Sequence, residues 1–400
     1  MDNYSIHTIV PQLRFPEFAN DGDWEEAKVG DVIKTITPPK KLNSSEYKKN
    51  GKYPIIDQSQ SFICGYSDDD DALMNHNNED LIVFGDHTCV LKFVSFPFIQ
   101  GADGIKIIKS KDSNKLVESF LFQSLLNNPV VSREYKRHFA ELKEKEFCFS
   151  HRIAEQRKIA SCLFSMEGYI SATKEKLELL KTYKKGLMQK LFPAKGKKLP
   201  ELRFKEFVKD GEWEVKKLGE VTKDVNRRNK SNRNLPIYSI SNKDGFILQS
   251  EQFDGLDSVS RGYDTSLYKI VTSNTFAYNP ARINVGSIGY SGNIKECLIS
   301  SLYVCFKTTE DVDDSFLMYF FDSSSFNQSV ENNVEGGIRS YLFYENFSKI
   351  KIMFPSISEQ KRIVSFLKAI DEIIDSLSNK ISELERYKIG MMQKMFPIIK

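Results

Sequence analysis

The stretch "KDVNRRNKSNR", residues 223–233, sets five cations and three asparagines against a single carboxylate. Arginine and asparagine can each make paired hydrogen bonds to a guanine or adenine edge. Lysine and arginine also hold phosphate oxygens without reading sequence. Arg227, Arg228, Lys230 and Arg233 are the candidate contacts in this run. A second run, "YNPARINVGSIGYSGN" (278–293), interleaves Tyr278, Asn279, Arg282 and Tyr290 with small residues, and Arg339 adds a further cation downstream. At the matching place nearer the N-terminus, "PPKKLNSSEYKKNGK" (38–52) supplies Lys40 and Lys41, and "DQSQS" (57–61) supplies Gln58 and Gln60. His87 and Lys92 complete the set. Cations beside amides in paired loops point to a polyanion whose base edges are read.

Bond-making chemistry has weaker support. "NPAR" (279–282) begins like the Asn-Pro-Pro-aromatic tetrapeptide of an amino-methyltransferase, but Ala281 and Arg282 replace the proline and the aromatic. There is no FxGxG cofactor turn and no G-x-x-x-x-G-K-[ST] phosphate loop. "DDDD" (68–71) reads as a hydrated turn rather than a nuclease centre. "GDH" (85–87) offers His87 as a base without a nucleophile at recognisable spacing. Six cysteines without a CxxC pair, beside five histidines, do not form a zinc pattern and suit a reducing cytoplasm. No signal peptide and no run of 18 apolar residues is present, so no membrane partner is expected. No catalytic, metal or cofactor site is assigned.

What must position these loops is a duplicated frame. "LRFPEF" (13–18), "DGDWE" (21–25) and "KVGDV" (28–32) return 189 residues later as "LRFKEF", "DGEWE" and "KLGEV". "EQRKIASCLF" (155–164) and "MQKLFP" (188–193) return 204 residues later as "EQKRIVSFLK" and "MQKMFP". The second copy therefore holds about 15 extra interior residues, and the interiors themselves differ. After Glu155 the apolar positions follow 4-3-4-3 spacing: Ile159, Leu163, Met166, Ile170, Leu177, Leu180, Leu187, Leu191. The second seam is Ile363, Leu367, Ile370, Ile374, Leu377, Ile381, Leu384, Met391, Met395, with a lysine at the same seam position in each copy, Lys184 and Lys388. Heptads sustained this long predict two paired helices, roughly 50 Å each at about 1.5 Å per residue, antiparallel because each leaves a similar body. Pro193 and Pro397 suit the stops, with Ser358 as one cap and His151 or Ser150 as the other. The interiors read as short strands, "YPIID" (53–57) matching "LPIYSI" (235–240), with helices at 117–128 and 314–326. The expected fold is α/β (α+β): two bodies with mainly β cores at 11–150 and 199–354, and helical spacers at 151–198 and 355–400, in a pseudo-two-fold repeat.

Two differing bodies, each followed by "EQ-[RK]-[RK]-I" and a long helix ending near "MQK-[LM]-FP", resemble the specificity subunits (HsdS) of type I restriction–modification systems. The "LRF-x-EF…DG-[DE]-WE…LG" opening and "NPARINVG-x-IGY" resemble that family too, so the likeness spans essentially the whole chain. It implies two target-recognition domains, each reading one half of a split, non-palindromic duplex DNA site, and helices that act as a ruler. It implies docking of two methyltransferase subunits carrying S-adenosylmethionine, and restriction subunits with ATP- and Mg-driven translocation as further partners, in the cytoplasm. On that reading this chain is non-catalytic and holds no cofactor. The residues alone leave open an autonomous methyltransferase or nuclease, and a coiled-coil scaffold that binds no DNA.

Overall fold

The computed structural model describes residues 9–74, 79–102, 104–132, 136–194, 196–333 and 341–397. Each repeated frame closes on itself through a two-stranded antiparallel ribbon. Glu25–Lys28 pairs with Glu146–Phe149, in the register Glu25↔Phe149. Glu214–Lys217 pairs with Lys351–Phe354, in the register Glu214↔Phe354. The strand after each tryptophan thus meets the strand before each long helix, and the variable interior is a loop hung between them. Trp24 and Trp213 are buried behind these ribbons.

The chain forms two units: one runs to Glu175 and resumes from Ser378, and the other is Lys176–Leu377. This differs from the four-part division read from the sequence. The apolar stripe of each helix is buried against the bodies and the other helix within both units.

In the first unit, four antiparallel strands lie in the order Ile33–Ile36, Ile105–Ser110, Leu81–Gly85, Leu91–Val94. A second sheet orders Lys41–Leu42, Phe98–Gly101, Tyr53–Ile56, Gly65–Ser67, with Leu73–Met74 also pairing to Phe98–Gly101. Two of its pairings are parallel, Lys41↔Gln100 and Ile55↔Ile99. In the second unit the strands Thr222–Asp224, Val304–Thr308, Phe276–Tyr278, Ile288–Tyr290 repeat the first order. Gly245–Leu248, Ile237–Ser241, Glu296–Ile299, Lys269–Thr272 match Gly65–Ser67, Tyr53–Ile56, Phe98–Gly101, Leu73–Met74 of the second sheet, with a parallel pairing at Ile237↔Leu298. The interiors that look unrelated as sequences therefore share a topology. Alternation explains why: a strand needs only every second residue apolar to fill a two-sheet core. Ile56, Val83, Val94 and Ile107 do so in the first unit, and Ile240, Val271, Ala277 and Ile299 in the second. The expected strands are where the pattern placed them, as is the helix Glu118–Asn127; the second expected helix, 314–326, stops at Phe321, and a separate helix begins at Ser324. The extra length of the second copy falls mainly at one place: residues 249–268 stand where the first unit has only 68–72.

The long helices are Ile153–Leu191 and Ile357–Met395, 39 residues each, roughly 58 Å. No residue of either predicted seam is exposed. In the first unit Ile159 and Leu163 pack in one cluster with Met392 and Met395. In the second, Leu187 and Leu191 pack with Ile363 and Leu367. Low numbers meet high ones, so the pairing is antiparallel. The two seam lysines have reciprocal partners: Lys184 Nζ lies 2.5 Å from Asp371, and Lys388 pairs with Glu167. Adding 204 to Lys184 and Glu167 gives Lys388 and Asp371, so the same lysine–carboxylate lock recurs at equivalent positions of the two helices. The second helix is capped by Ser356, whose Oγ accepts the Glu359 N–H at 3.4 Å. Ser358 lies inside its first turn, a correction to the expected cap.

Candidate nucleic-acid interface

The "EQ" motif at each helix start builds the platform on which the loops stand. Glu155 accepts both Arg14 Nε at 2.7 Å and Nη2 at 2.8 Å, and Arg14 Nη1 donates to the Gly22 carbonyl. Glu359 accepts Arg203 Nε and Nη2 at 2.8 Å each, and Arg203 Nη1 donates to the Gly211 carbonyl. These bidentate pairs are almost wholly buried and pull "LRF" onto the helix. Leu13 N–H then reaches the Lys394 carbonyl, and Leu202 N–H the Lys190 carbonyl, each at 2.9 Å. The phenylalanine of "MQK-[LM]-FP" is a docking residue: Phe396 lies 5.4 Å from Phe120, and Phe192 lies 5.3 Å from Phe316.

In the second unit the basic loop is zipped to the strand Lys269–Thr272. Ile270 N–H donates to the Arg227 carbonyl at 2.7 Å, and Arg228 bridges Lys269. Asn229 is fully buried. Its carboxamide donates to the Arg233 carbonyl and accepts the Arg233 N–H, so it clamps the turn rather than facing out. Arg233 grips Glu296 through both terminal nitrogens, and Arg227 lies 3.6 Å from the same carboxylate. The hydrogen-bonded carboxylate holds the Arg233 guanidinium above its usual pKa, and Arg233 in turn holds Glu296 below the usual carboxylate range. Arg228 and Lys230 are exposed and have no side-chain partner among the described residues. Arg282 is likewise exposed, at the start of the short turn Ile283–Val285. Asn279 is half-buried, its carboxamide oxygen taken by the Ala281 N–H at 3.0 Å.

Two candidates from this stretch are corrected by the structure. Tyr278 is fully buried on the strand Phe276–Tyr278, where burial first and the nearby Asp224 second push its phenol far above the ordinary range. It is a core residue because it lies on a strand whose three residues are all buried rather than in a loop. Tyr290 is half-buried against Phe276, its hydroxyl 2.5 Å from the Asp314 carboxylate and 2.9 Å from the Asn274 carboxamide oxygen. It pins the helix Asp314–Phe321 to the sheet. Arg339 lies outside the described residues.

In the first unit Gln58 and His87 meet, Lys92 bonds the main chain on either side of Gln58, and Lys40 and Lys41 stand elsewhere. His87 N–H reaches Gln58 Oε1 at 3.4 Å, and His87 Nδ1 lies 3.1 Å from the Lys136 carbonyl. Lys92 is only 3% exposed. It is a core lysine and not a surface cation, which corrects its reading as a DNA contact; the alternating strand Leu91–Val94 sends it inward. Gln60 is exposed. The acidic run is not a free hydrated turn: Asp69 pairs with Lys40 at 2.6 Å, Asp68 with Lys48 at 2.7 Å and Asp70 with Lys52 at 2.7 Å. It neutralises much of the basic loop 38–52, a pairing that sequence distance concealed. Lys41 sits exposed on its short strand. Among the described residues no cluster of His, Cys, Asp and Glu could hold a metal ion, and no helix is long and apolar enough to cross a membrane.

The sequence is similar to that of the type I restriction enzyme MjaVIII specificity subunit of Methanocaldococcus jannaschii, 25% identical over 95% of this chain and 92% of that protein. It is also similar to the type I restriction enzyme EcoR124I/EcoR124II specificity subunit of Escherichia coli, 23% identical over 97% of this chain and 96% of that one. The fold matches the crystal structure of a type I restriction-modification system S subunit from M. genitalium at a TM-score of 0.62, with 14% identity, covering 98% of this chain and 100% of that one. The family model described as type I restriction modification DNA specificity domain matches twice, over residues 21–182 and 210–386. The two matches track the duplicated frame, and the chain belongs to the type I restriction modification DNA specificity domain family.

Proposed function

We propose that the chain is the DNA sequence-specificity subunit of a type I restriction–modification complex, each unit reading one half of a bipartite, asymmetric site. The observation that carries this reading is one double-sheet body built twice on reciprocally paired helices, with different exposed polar loops on each copy. Arg228, Lys230 and Arg282 are the contacts of the second unit, because their guanidinium and ammonium groups are unspent. The cations already paired with carboxylates, Lys40, Arg227 and Arg233, contribute to the local field and exchange partners with phosphate only at a cost. Helices of roughly 58 Å correspond to about 17 base pairs at 3.4 Å each, an upper scale for the separation of half-site centres. The catalytic steps belong to partners: two methyltransferase subunits using S-adenosylmethionine on adenine, and restriction subunits using ATP and Mg, all in the cytoplasm.

Exchanging residues 199–354 for the second body of another family member tests this directly. The methylated sequence should change in one half and stay unchanged in the other. A change in both halves, or in neither, defeats the modular reading. Robust methylation of DNA by the pure chain with labelled S-adenosylmethionine would favour an autonomous enzyme instead.

A further inference from the structure

Lys92 is the group of the first unit least explained by stability. Its strand sends Lys92 and Val94 into the core between the two sheets. Burying an ammonium there is far costlier than burying a methionine of similar length. Burial pushes its pKa below the usual lysine range, with Asp57 opposing. Its donors go to main chain: Nζ donates to the Asp57 carbonyl at 2.7 Å and to the Ser61 carbonyl at 2.6 Å, with the Asp57 carboxylate 4.0 Å away. Those two carbonyls bracket "DQSQS".

Other contacts stiffen the same loop. The Asp57 carboxylate accepts the Ser59 N–H at 2.8 Å, and the Gln58 carbonyl accepts Thr88 Oγ1 at 2.8 Å. Gly104, at φ +92°, lets the Gln58 side chain lie on its backbone: a Cβ there would stand 2.8 Å from Gln58 Nε2. Cys64 N–H closes the loop onto the Ile55 carbonyl at 3.0 Å. The anchors leave four successive residues exposed, Gln60, Ser61, Phe62 and Ile63. Phe62 is 45% and Ile63 36% exposed. The stretch 58–67 carries no carboxylate that would repel phosphates.

We propose that residues 60–63, held in place by Lys92, are the base-reading edge of the first unit and take A·T pairs in the major groove. The Gln60 carboxamide suits the N6/N7 edge of adenine, and Phe62 with Ile63 suits thymine methyl groups. Lys92 touches no DNA and is a positioning residue. This deepens the specificity-subunit reading and rests on it.

The test uses the full chain with its methyltransferase partner, mapping methylated sites in a randomised DNA library by sequencing. Gln60→Ala and Lys92→Met should relax the same A·T positions of one half-site, discrimination falling about tenfold or more. The other half-site and the salt dependence of binding should be unchanged, since no phosphate contact is removed. Replacing thymine by deoxyuridine in that half-site should weaken the wild type several-fold and a Phe62→Ala/Ile63→Ala variant no further. The inference is overturned if folded Lys92→Met discriminates within twofold of wild type, if it only lowers overall activity, or if both half-sites relax together. Relaxation confined to G·C positions would also overturn it. Should Lys92→Met not fold, Ser59→Gly/Ser61→Gly loosens the loop without touching the core and must relax the same positions; intact discrimination there overturns the proposal. A wild-type complex with no bipartite site at all would instead sink the specificity-subunit reading itself.

Discussion

Removing Glu359 should be among the most costly single changes in the second unit. Its carboxylate takes two guanidinium hydrogen bonds from Arg203 and one from Trp213 Nε1 at 3.3 Å, with the Glu359 side chain 1% and the Arg203 side chain 10% exposed. Glu359→Met leaves the guanidinium buried without its partner, which costs about 3–5 kcal/mol, and strips the indole of its acceptor, about 1 kcal/mol more. For a unit of about 200 residues each kcal/mol lowers the melting temperature by about 2–4 °C, so the transition should fall by roughly 8–24 °C. Arg203→Met should cost about 3–5 kcal/mol for the mirror reason. The double variant should recover much of either loss, since apolar replacements of a buried pair are often neutral. Scanning calorimetry of the full chain measures all three and closes the cycle. Arg14–Glu155 supplies an internal control: Trp24 Nε1 has no hydrogen-bond partner among the described residues, so Glu155→Met should cost less than Glu359→Met by the indole contribution. A coupling energy below about 0.5 kcal/mol, or a double variant as unstable as the two losses added, would refute the argument that these pairs hold the frame.

Other expectations follow from single features. Arg228→Ala, Lys230→Ala and Arg282→Ala should each lower the salt slope of duplex binding by about 1 where the side chain meets phosphate, while Arg233→Ala, already committed to Glu296, should leave it nearly unchanged; equal slopes in all four would remove these residues from the interface. Burial pushes the thiols of Cys148 up to about 11 and of Cys297 and Cys305 up to about 12. Because folding raises these values, their stabilising contribution is complete below about pH 8.5, the unfolded thiol value, and fades as pH rises toward the folded values. Native protein should therefore resist iodoacetamide at these three positions, and its urea midpoint should drop through that window; alkylation at the rate of a free thiol would contradict this. Glu167 and Lys184 are seventeen positions apart, as are Asp371 and Lys388. Inserting four residues after Leu177 alone slides one partner of a lock by about 6 Å and should destabilise the pair; a matching insertion near Ile381 should restore it and lengthen the methylated spacer. An active double insertion with an unchanged spacer would end the ruler idea.

The frame was legible because its physics is periodic or repeated. Heptad spacing locates every seam residue on a covered face, and the shifts of 189 and 204 mark equivalent pairs in the sequence itself. The common topology of the interiors was not legible, because alternation constrains only apolarity at every second site and leaves identity free. The loop chemistry was half legible. Residue type alone ranked Lys92 and Tyr278 with the surface readers, whereas strand alternation, visible in "VLKFV" and "TFAY", turned both inward. The pairing of Asp68, Asp69 and Asp70 with Lys48, Lys40 and Lys52 joins residues 18 to 29 positions apart through a fold that the local pattern did not specify.

Gln156 and Gln360 grip each interior in a way that bears on inheritance. Gln156 accepts the Val117 N–H and donates to the Lys115 and Ser150 carbonyls. Gln360 accepts the Asp313 N–H and donates to the Asp311 and Pro355 carbonyls. All six partners are main-chain groups, which nearly every amino acid supplies. The socket therefore places almost no demand on the side chains of what is plugged into it. Recombination between the frame motifs could install a new reading body in one step, without the frame having to re-adapt.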